Sequence, residues 1–360
     1  MGISTMRCYV RMMTFVSSLA VLVGLGSLSG SALASPMQTQ VPATQNGLTV
    51  TKPVTENANG TAQKNFSVGA SIKYAYTLDN STGKTIIAEF QYYAYWGTVD
   101  ERPNEIISHI LKDVSVPPGT HKEAPLDTIR AGALPGFYSL QVTISDQNNP
   151  ADITGAYGSF NVTGSKTLNV PAYTQFQPKN LSESEDCGPT SVAMTLAYYK
   201  KSSAGATNAQ QQIHDVRTVI AGDPNDIPTD APDPNTTGPT DGPELGYALT
   251  HYGATYSEIS ENSSVQIQVA EMAAEVQQKF PVIAFINANN LVPDRHYGGH
   301  FLVVVGFKFS GGLTWVLVND PDQSKLPGYA QPMAYNTFEN ALTGAIPLGN
   351  YSIAGISVTG

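Results

Sequence analysis

The chain has 360 residues, of which 41% are hydrophobic and only 13% charged, and a net charge of −10. That length holds one large domain or two ordinary ones. The acidic balance excludes a nucleic-acid binder of the usual kind, because no cationic excess is present to displace counterions.

Residues 1–34 read as an export signal. Arg7 and Arg11 form a basic start, the apolar run Phe15 to Leu28 follows, and Ala32-Leu33-Ala34 is a small-residue cleavage site. The mature protein would begin near Ser35 and be secreted, with no membrane association after signal removal. The competing reading, a membrane anchor, is disfavoured by an apolar run short for a span. No cysteine follows that run, so a lipoprotein is not indicated. A polar, charge-poor surface rich in Thr and Asn suits the extracellular assignment. Of the two cysteines, Cys8 lies in the signal, which leaves Cys187 as the sole thiol. A secreted chain with one cysteine has no internal disulfide, and the odd thiol needs a reason. The plain alternative is a small buried hydrophobe.

Residues 35–64 are polar, contain proline and show no periodicity; they read as a flexible tail or linker. Residues 65–163 read as all-β. Val68, Ala70, Ile72, Tyr74 and Tyr76 alternate, as do Ile86 through Trp96, Tyr138 through Ile144, and Phe160 with Val162. Turn residues such as Pro117-Pro118-Gly119 and Asn148-Asn149-Pro150 separate the runs, which suggests a β-sandwich. The run Leu134-Pro135-Gly136-Phe137-Tyr138-Ser139-Leu140 resembles the end of bacterial immunoglobulin-like modules. Tyr92, Tyr93, Tyr95 and Trp96 could form a carbohydrate-binding platform, or could be half core and half sheet surface.

Residues 164–168 read as a short linker. From 169 to 360 helical patterns alternate with strands, so this half is α+β or α/β. Helices are predicted from Cys187 towards Lys200 and over Ala209–Ile220, Glu244–Tyr252, Val265–Gln278 and Thr337–Leu342. Strands are predicted over Pro281–Ile286, His300–Phe307, Thr314–Val318 and Ser352–Val358. Residues 222–243 are dense in Pro, Asp, Thr and Gly, the composition of a long surface loop and a candidate lid. The first helix carries Val192, Leu196 and Tyr199 at helical spacing on one apolar face.

Cys187 opens that helix, where unpaired N–H groups and the helix dipole favour a thiolate. Gly188 allows close approach beside the sulfur and Pro189 suits a first turn. Glu183, Glu185 and Asp186 act against it, since nearby negative charge raises a thiol pKa. Cysteine catalysis also needs a base, a group to orient the base and an oxyanion hole. There are six histidines. His109 and His121 fall in the β-rich half, and His214 and His251 are expected on helix surfaces. His300 follows Gly298-Gly299 and opens an apolar strand, a rigid mount at a sheet end; His296 is the reserve. Asp320 ends the next apolar strand and can lie at the same end of the sheet. Asn319 is an alternative orienter, and Asp322 lies past a proline.

Val170-Pro171-Ala172-Tyr173-Thr174-Gln175, Cys187-Gly188-Pro189-Thr190-Ser191, Gly299-His300-Phe301 and Asn319-Asp320-Pro321, in that order, resemble the secreted C39-like cysteine peptidases over residues 169–360. The resemblance implies a papain-like fold, with Cys187 as nucleophile, His300 as base, Asp320 as orienter and Gln175 as side-chain donor to the oxyanion. The Cys187 backbone N–H would be the second donor, and Gln177 rivals Gln175. The leader peptidases of this group are fused to ATP-driven exporters; no nucleotide motif occurs here.

The sequence therefore describes two domains, an N-terminal all-β sandwich followed by an α+β papain-like cysteine peptidase domain. The expected function is hydrolysis of peptide or related amide bonds by a monomer without cofactor. Two alternatives remain. One is transpeptidation with the same triad. The other is a retired peptidase fold that binds cell wall, carbohydrate or protein through the β domain. The pair His296 and His300 lacks a third ligand of the usual kind for a metal.

Overall fold

The computed structural model describes residues 47–51, 53–96, 105–123, 134–176, 186–201, 208–222, 240–260, 264–291, 298–322, 329–343 and 353–360. The N-terminal half is built of strands: β1 (Leu48–Val50), β2 (Val54–Glu56), β3 (Asn65–Ser67), β4 (Lys73–Asn80), β5 (Ile86–Trp96), β6 (Glu105–Val116), β7 (Gly119–Glu123), β8 (Gly136–Asp146) and β9 (Asn149–Thr167). β4 pairs with β1, β2 and β7, while β6, β5, β8 and β9 form a second sheet in that order. Alternation on β4 turns Tyr74, Tyr76 and Leu78 inward. There Tyr74 meets Tyr92 and Tyr76 meets Phe90, with ring centroids 6.1 and 6.3 Å apart. The two sheets thus face each other across an aromatic core. Tyr138 donates its hydroxyl to the Leu134 carbonyl at 2.6 Å, which satisfies a polar group buried in that core.

Two expectations for this half are corrected and one open alternative is decided. The stretch 35–64 is not all tail: β1 and β2 lie in it and pair with β4. Three residues are too few to show a period, but Leu48 and Val50 bury their side chains, and that burial holds the strand. The run Val68 to Tyr76 is not one strand. A turn closed by Ala70 N–H donating to Ser67 O, with Gly69 at φ +88°, separates β3 from β4. Of the four aromatics of the candidate platform, three turn into the core and Tyr93 is half-buried, which is the half-core alternative. Tyr92, Tyr95 and Trp96 are buried; the Tyr92 hydroxyl bonds that of Tyr76, and Trp96 Nε1 donates to Pro135 O at 3.2 Å.

The second half contains α1 (Cys187–Tyr198), α2 (Ala209–Ile220), α3 (Gly242–His251), β10 (Tyr256–Ser260), α4 (Val265–Gln277), β11 (Val282–Asn287), β12 (Gly299–Ser310), β13 (Leu313–Asn319), β14 (Gln331–Ala334), α5 (Tyr335–Thr343) and β15 (Ile353–Val358). Its strands run β10-β15-β11-β12, with β13 and β14 continuing from β12, all antiparallel. β12 is apolar and buried from His300 to Phe307, as a central strand covered on both faces should be. α1 differs from expectation. Every residue from Gly188 to Leu196 is buried, so it has no single apolar face but is enclosed by α2, α3 and β12.

The segment 164–168 is likewise no linker. β9 continues to Thr167 and pairs Gly164–Thr167 with Gly306–Phe309 of β12, where the β11 pairing has ended. A Cβ on Gly306 would lie 2.3 Å from Lys166 O, so the strands approach this closely only with glycine there. Trp96 packs edge-on against Phe307 at 5.3 Å beside this junction. The sheet therefore runs unbroken from one half to the other, eleven strands in all among the described residues. Residues Gln38–Gly360 form one contact unit.

Candidate active site

β12 begins at the end of the sheet where β13 finishes. Val303 pairs with Asn319, so the chain leaves β13 as Asp320 beside the first turn of β12. There His300 Nε2 lies 2.8 Å from Asp320 Oδ1, with the two side chains 0% and 1% exposed. The same oxygen accepts the Asp322 backbone N–H at 2.9 Å, which fixes the carboxylate. Burial by itself lowers the imidazole pKa. The Asp320 charge and hydrogen bond, reinforced by the neighbouring Cys187, more than reverse this and push it up to about 10. With Nε2 committed to Asp320, the nitrogen left to serve the sulfur is Nδ1.

Cys187 is the first residue of α1 and is half-buried, whereas the helix behind it is enclosed. The Asp186 carbonyl starts the helix by accepting the Thr190 N–H at 2.9 Å. The α3 entrance comes close: a Cβ on Gly188 would lie 2.9 Å from the Thr240 side chain. The half-buried thiol thus sits at the positive end of a helix dipole with a protonated, anchored imidazole against it.

Gln175 is buried at 2% exposure. After β9, Leu168 N–H donates to Val305 O at 2.7 Å and Gln175 N–H to Pro321 O at 3.0 Å, so this segment follows the sheet end to the residue after Asp320. Asn319 has a different task. Its Nδ2 donates to Val170 O at 2.9 Å and its Oδ1 accepts from Ala330 N–H at 2.8 Å, which ties three segments together below the site. The fold brings Cys187, His300 and Asp320 together, holds Gln175 beside them and spends Asn319 on the frame. His214 and His251 are exposed on α2 and α3. Gln177, His296, Glu183, Glu185 and residues 223–239 of the loop lie outside the described residues. Among the described residues, no group of three or more His, Cys, Asp or Glu side chains could hold a metal ion.

Sequence reasoning missed Arg217. Its Nε and Nη2 lie 2.8 and 2.6 Å from Asp186 Oδ1, both side chains are 1% exposed, and Nη1 lies 3.4 Å from Thr240 Oγ1. The acid next to the cysteine is therefore paired. The one available signal was position: Ile213, Val216 and Ile220 form the buried stripe of α2, and Arg217 falls within it.

No curated protein matches the chain. Among solved structures, a β-glucuronidase of Bacteroides uniformis is similar at 10% identity and a TM-score of 0.24, covering 34% of this chain and 14% of that one. The C-terminal domain of wzt is similar at 14% identity and a TM-score of 0.26, covering 34% and 77%. Likenesses this slight carry no conclusion about this chain. Residues 167–344 match the model of the Peptidase_C39 like family, and that segment contains every residue of the site just described.

Proposed function

We propose that the chain is an exported cysteine peptidase with a papain-like catalytic half, cleaving peptide or related amide bonds through Cys187, His300 and Asp320. The observation that carries this reading is the buried His300–Asp320 pair at 2.8 Å set against the thiol at the head of α1. The family match over residues 167–344 supports it.

In this reading Cys187 Sγ attacks the carbonyl carbon and the carbonyl π electrons move to oxygen. The oxyanion is received by the Gln175 amide and the Cys187 backbone N–H. His300 gives its proton to the leaving nitrogen as the C–N bond breaks, leaving a thioester. His300 then takes a proton from water as the water oxygen attacks, and the thiolate departs from the acid product. Asp320 keeps the ring oriented throughout without being protonated itself.

The test is a mixed peptide library incubated with the purified protein and read by mass spectrometry, in parallel with labelling by a peptide vinyl sulfone. Cleavage and a single adduct on Cys187, both lost in Cys187→Ala, are expected. Absence of both from the folded wild-type protein would overturn the proposal. Export is tested by N-terminal sequencing of the protein recovered outside the cell, with a start near Ser35 expected.

A further inference from the structure

We propose that Arg217 is a positioning residue for the nucleophile: its buried ion pair with Asp186 fixes the turn from which Cys187 opens α1 and offsets the carboxylate charge beside the thiol. The inference rests on Cys187 being the reactive group, and goes beyond it in naming what holds and tunes it.

An aspartate at a helix N-cap ordinarily turns its side chain to the N–H groups of the first turn. Asp186 makes no such bond, and at φ −85° and ψ 13° it lies outside the extended conformation of most caps. Its carboxylate is turned to Arg217 instead. Its backbone carbonyl meanwhile starts α1 through Thr190. The residue clamped by the guanidinium is thus the one covalently joined to Cys187. Arg217 reaches from there to Thr240, the residue that fills the space over Gly188. One planar donor group joins α2, the head of α1 and the entrance of α3, a geometry a lysine ammonium could not copy.

The charge matters as well as the geometry. An uncompensated carboxylate next to a thiol disfavours the thiolate. The charged and titratable groups on the elements packed against α1 are His300 and the exposed Lys308 on β12, Asp320 and Asp322 after β13, His214, Asp215 and Arg217 on α2, and Glu244, Tyr247 and His251 on α3 with Asp241 at its N-cap. Arg217 is the buried cation in that set which does not depend on pH, because guanidinium stays charged.

The experiment follows Cys187 alkylation by iodoacetamide from about pH 2.5 to 9, reaching below the range in which wild type is expected to be flat, in wild type, Arg217→Met, Asp186→Asn and the double variant, with circular dichroism at each pH as the check on folding. Arg217→Met should raise the midpoint by about one pH unit, which is about a tenfold loss of thiolate below it. Asp186→Asn should lower the midpoint, and the double variant should return it to near the wild-type value. A merely structural role would move both single variants the same way or neither. Equal midpoints, shifts of one sign, or a double variant displaced as far as Arg217→Met would overturn the proposal. Should Arg217→Met fail to fold, the downward shift of Asp186→Asn and the return in the double variant still decide it. Failure of the nucleophile reading looks different, since wild type would then alkylate as an ordinary thiol.

Discussion

Replacing Asp320 with alanine leaves the imidazole of His300 fully buried without the carboxylate that pairs its Nε2. Both side chains are 1% exposed or less, so solvent cannot take the place of the carboxylate. Breaking a buried pair by removing one partner costs about 3–5 kcal/mol. Asp320→Asn keeps an acceptor for Nε2 and should cost less, about 1.5–3 kcal/mol at most, the worth of a hydrogen bond to a charged group. The pH dependence has a definite sign. His300 titrates at about 10 in the folded protein, raised from 6.5. Its protonation therefore adds stability that is fully present below pH 6.5 and is lost as pH rises through about 10. The gap between wild type and Asp320→Ala should be widest near pH 6 and close towards pH 10. Urea unfolding at pH 6, 8 and 10 measures it. A gap that is constant, or that widens with pH, would refute the reasoning, because it would mean that His300 is neutral in the native state.

Gly306→Val drives a side chain into backbone, since its Cβ would lie 2.3 Å from Lys166 O and 2.9 Å from Thr167 Cα. A loss of about 1–3 kcal/mol in urea unfolding is expected, and a loss below 0.5 kcal/mol would show that β9 moves aside freely. A fragment of residues 169–360 lacks the strand that pairs with Gly306–Phe309 and the Trp96 that covers Phe307. It should show no cooperative thermal transition, whereas a cooperative melt near that of the whole chain would make the β-rich half dispensable for folding. With a cleaved peptide in hand, Gln175→Ala should lower kcat about 10²- to 10³-fold with little change in KM, as for removal of one oxyanion donor; a change in KM alone would assign Gln175 to binding.

The residues of the site were legible because each stands at a break in an apolar pattern. His300 opens and Asp320 directly follows strands rich in Val, Leu and Phe, and Cys187 opens a helix free of breakers after its first turn. α2 was legible from Ala209 to Ile220 because one stripe carries its burial and the Asn208 side chain caps it. What stayed hidden depends on partners distant in sequence. Arg217 resembles a solvated charge until α2 is laid on α1 and Asp186, 31 positions away, comes within reach. Strands β1 and β2 are three residues each, too short for the two-residue alternation to stand out. Gly164 to Thr167 looks like a linker in composition, and nothing local reveals that its strand partner is Gly306–Phe309, far along the chain. Tyr92 falls on the inward face of β5 with Ala88 and Phe90, and its hydroxyl is satisfied inside the core by that of Tyr76.

The central claim is that His300 holds Cys187 as a reactive thiolate. Iodoacetamide alkylation of Cys187 from pH 4 to 9, in wild type and His300→Ala, tests it most directly. The expected result is a fast reaction in wild type that stays nearly flat across that range, below the His300 value of about 10, and collapses at acid and neutral pH in the variant. A slow reaction in wild type that rises only above about 8.5, the ordinary range of a free thiol, and is unchanged in the variant would contradict it.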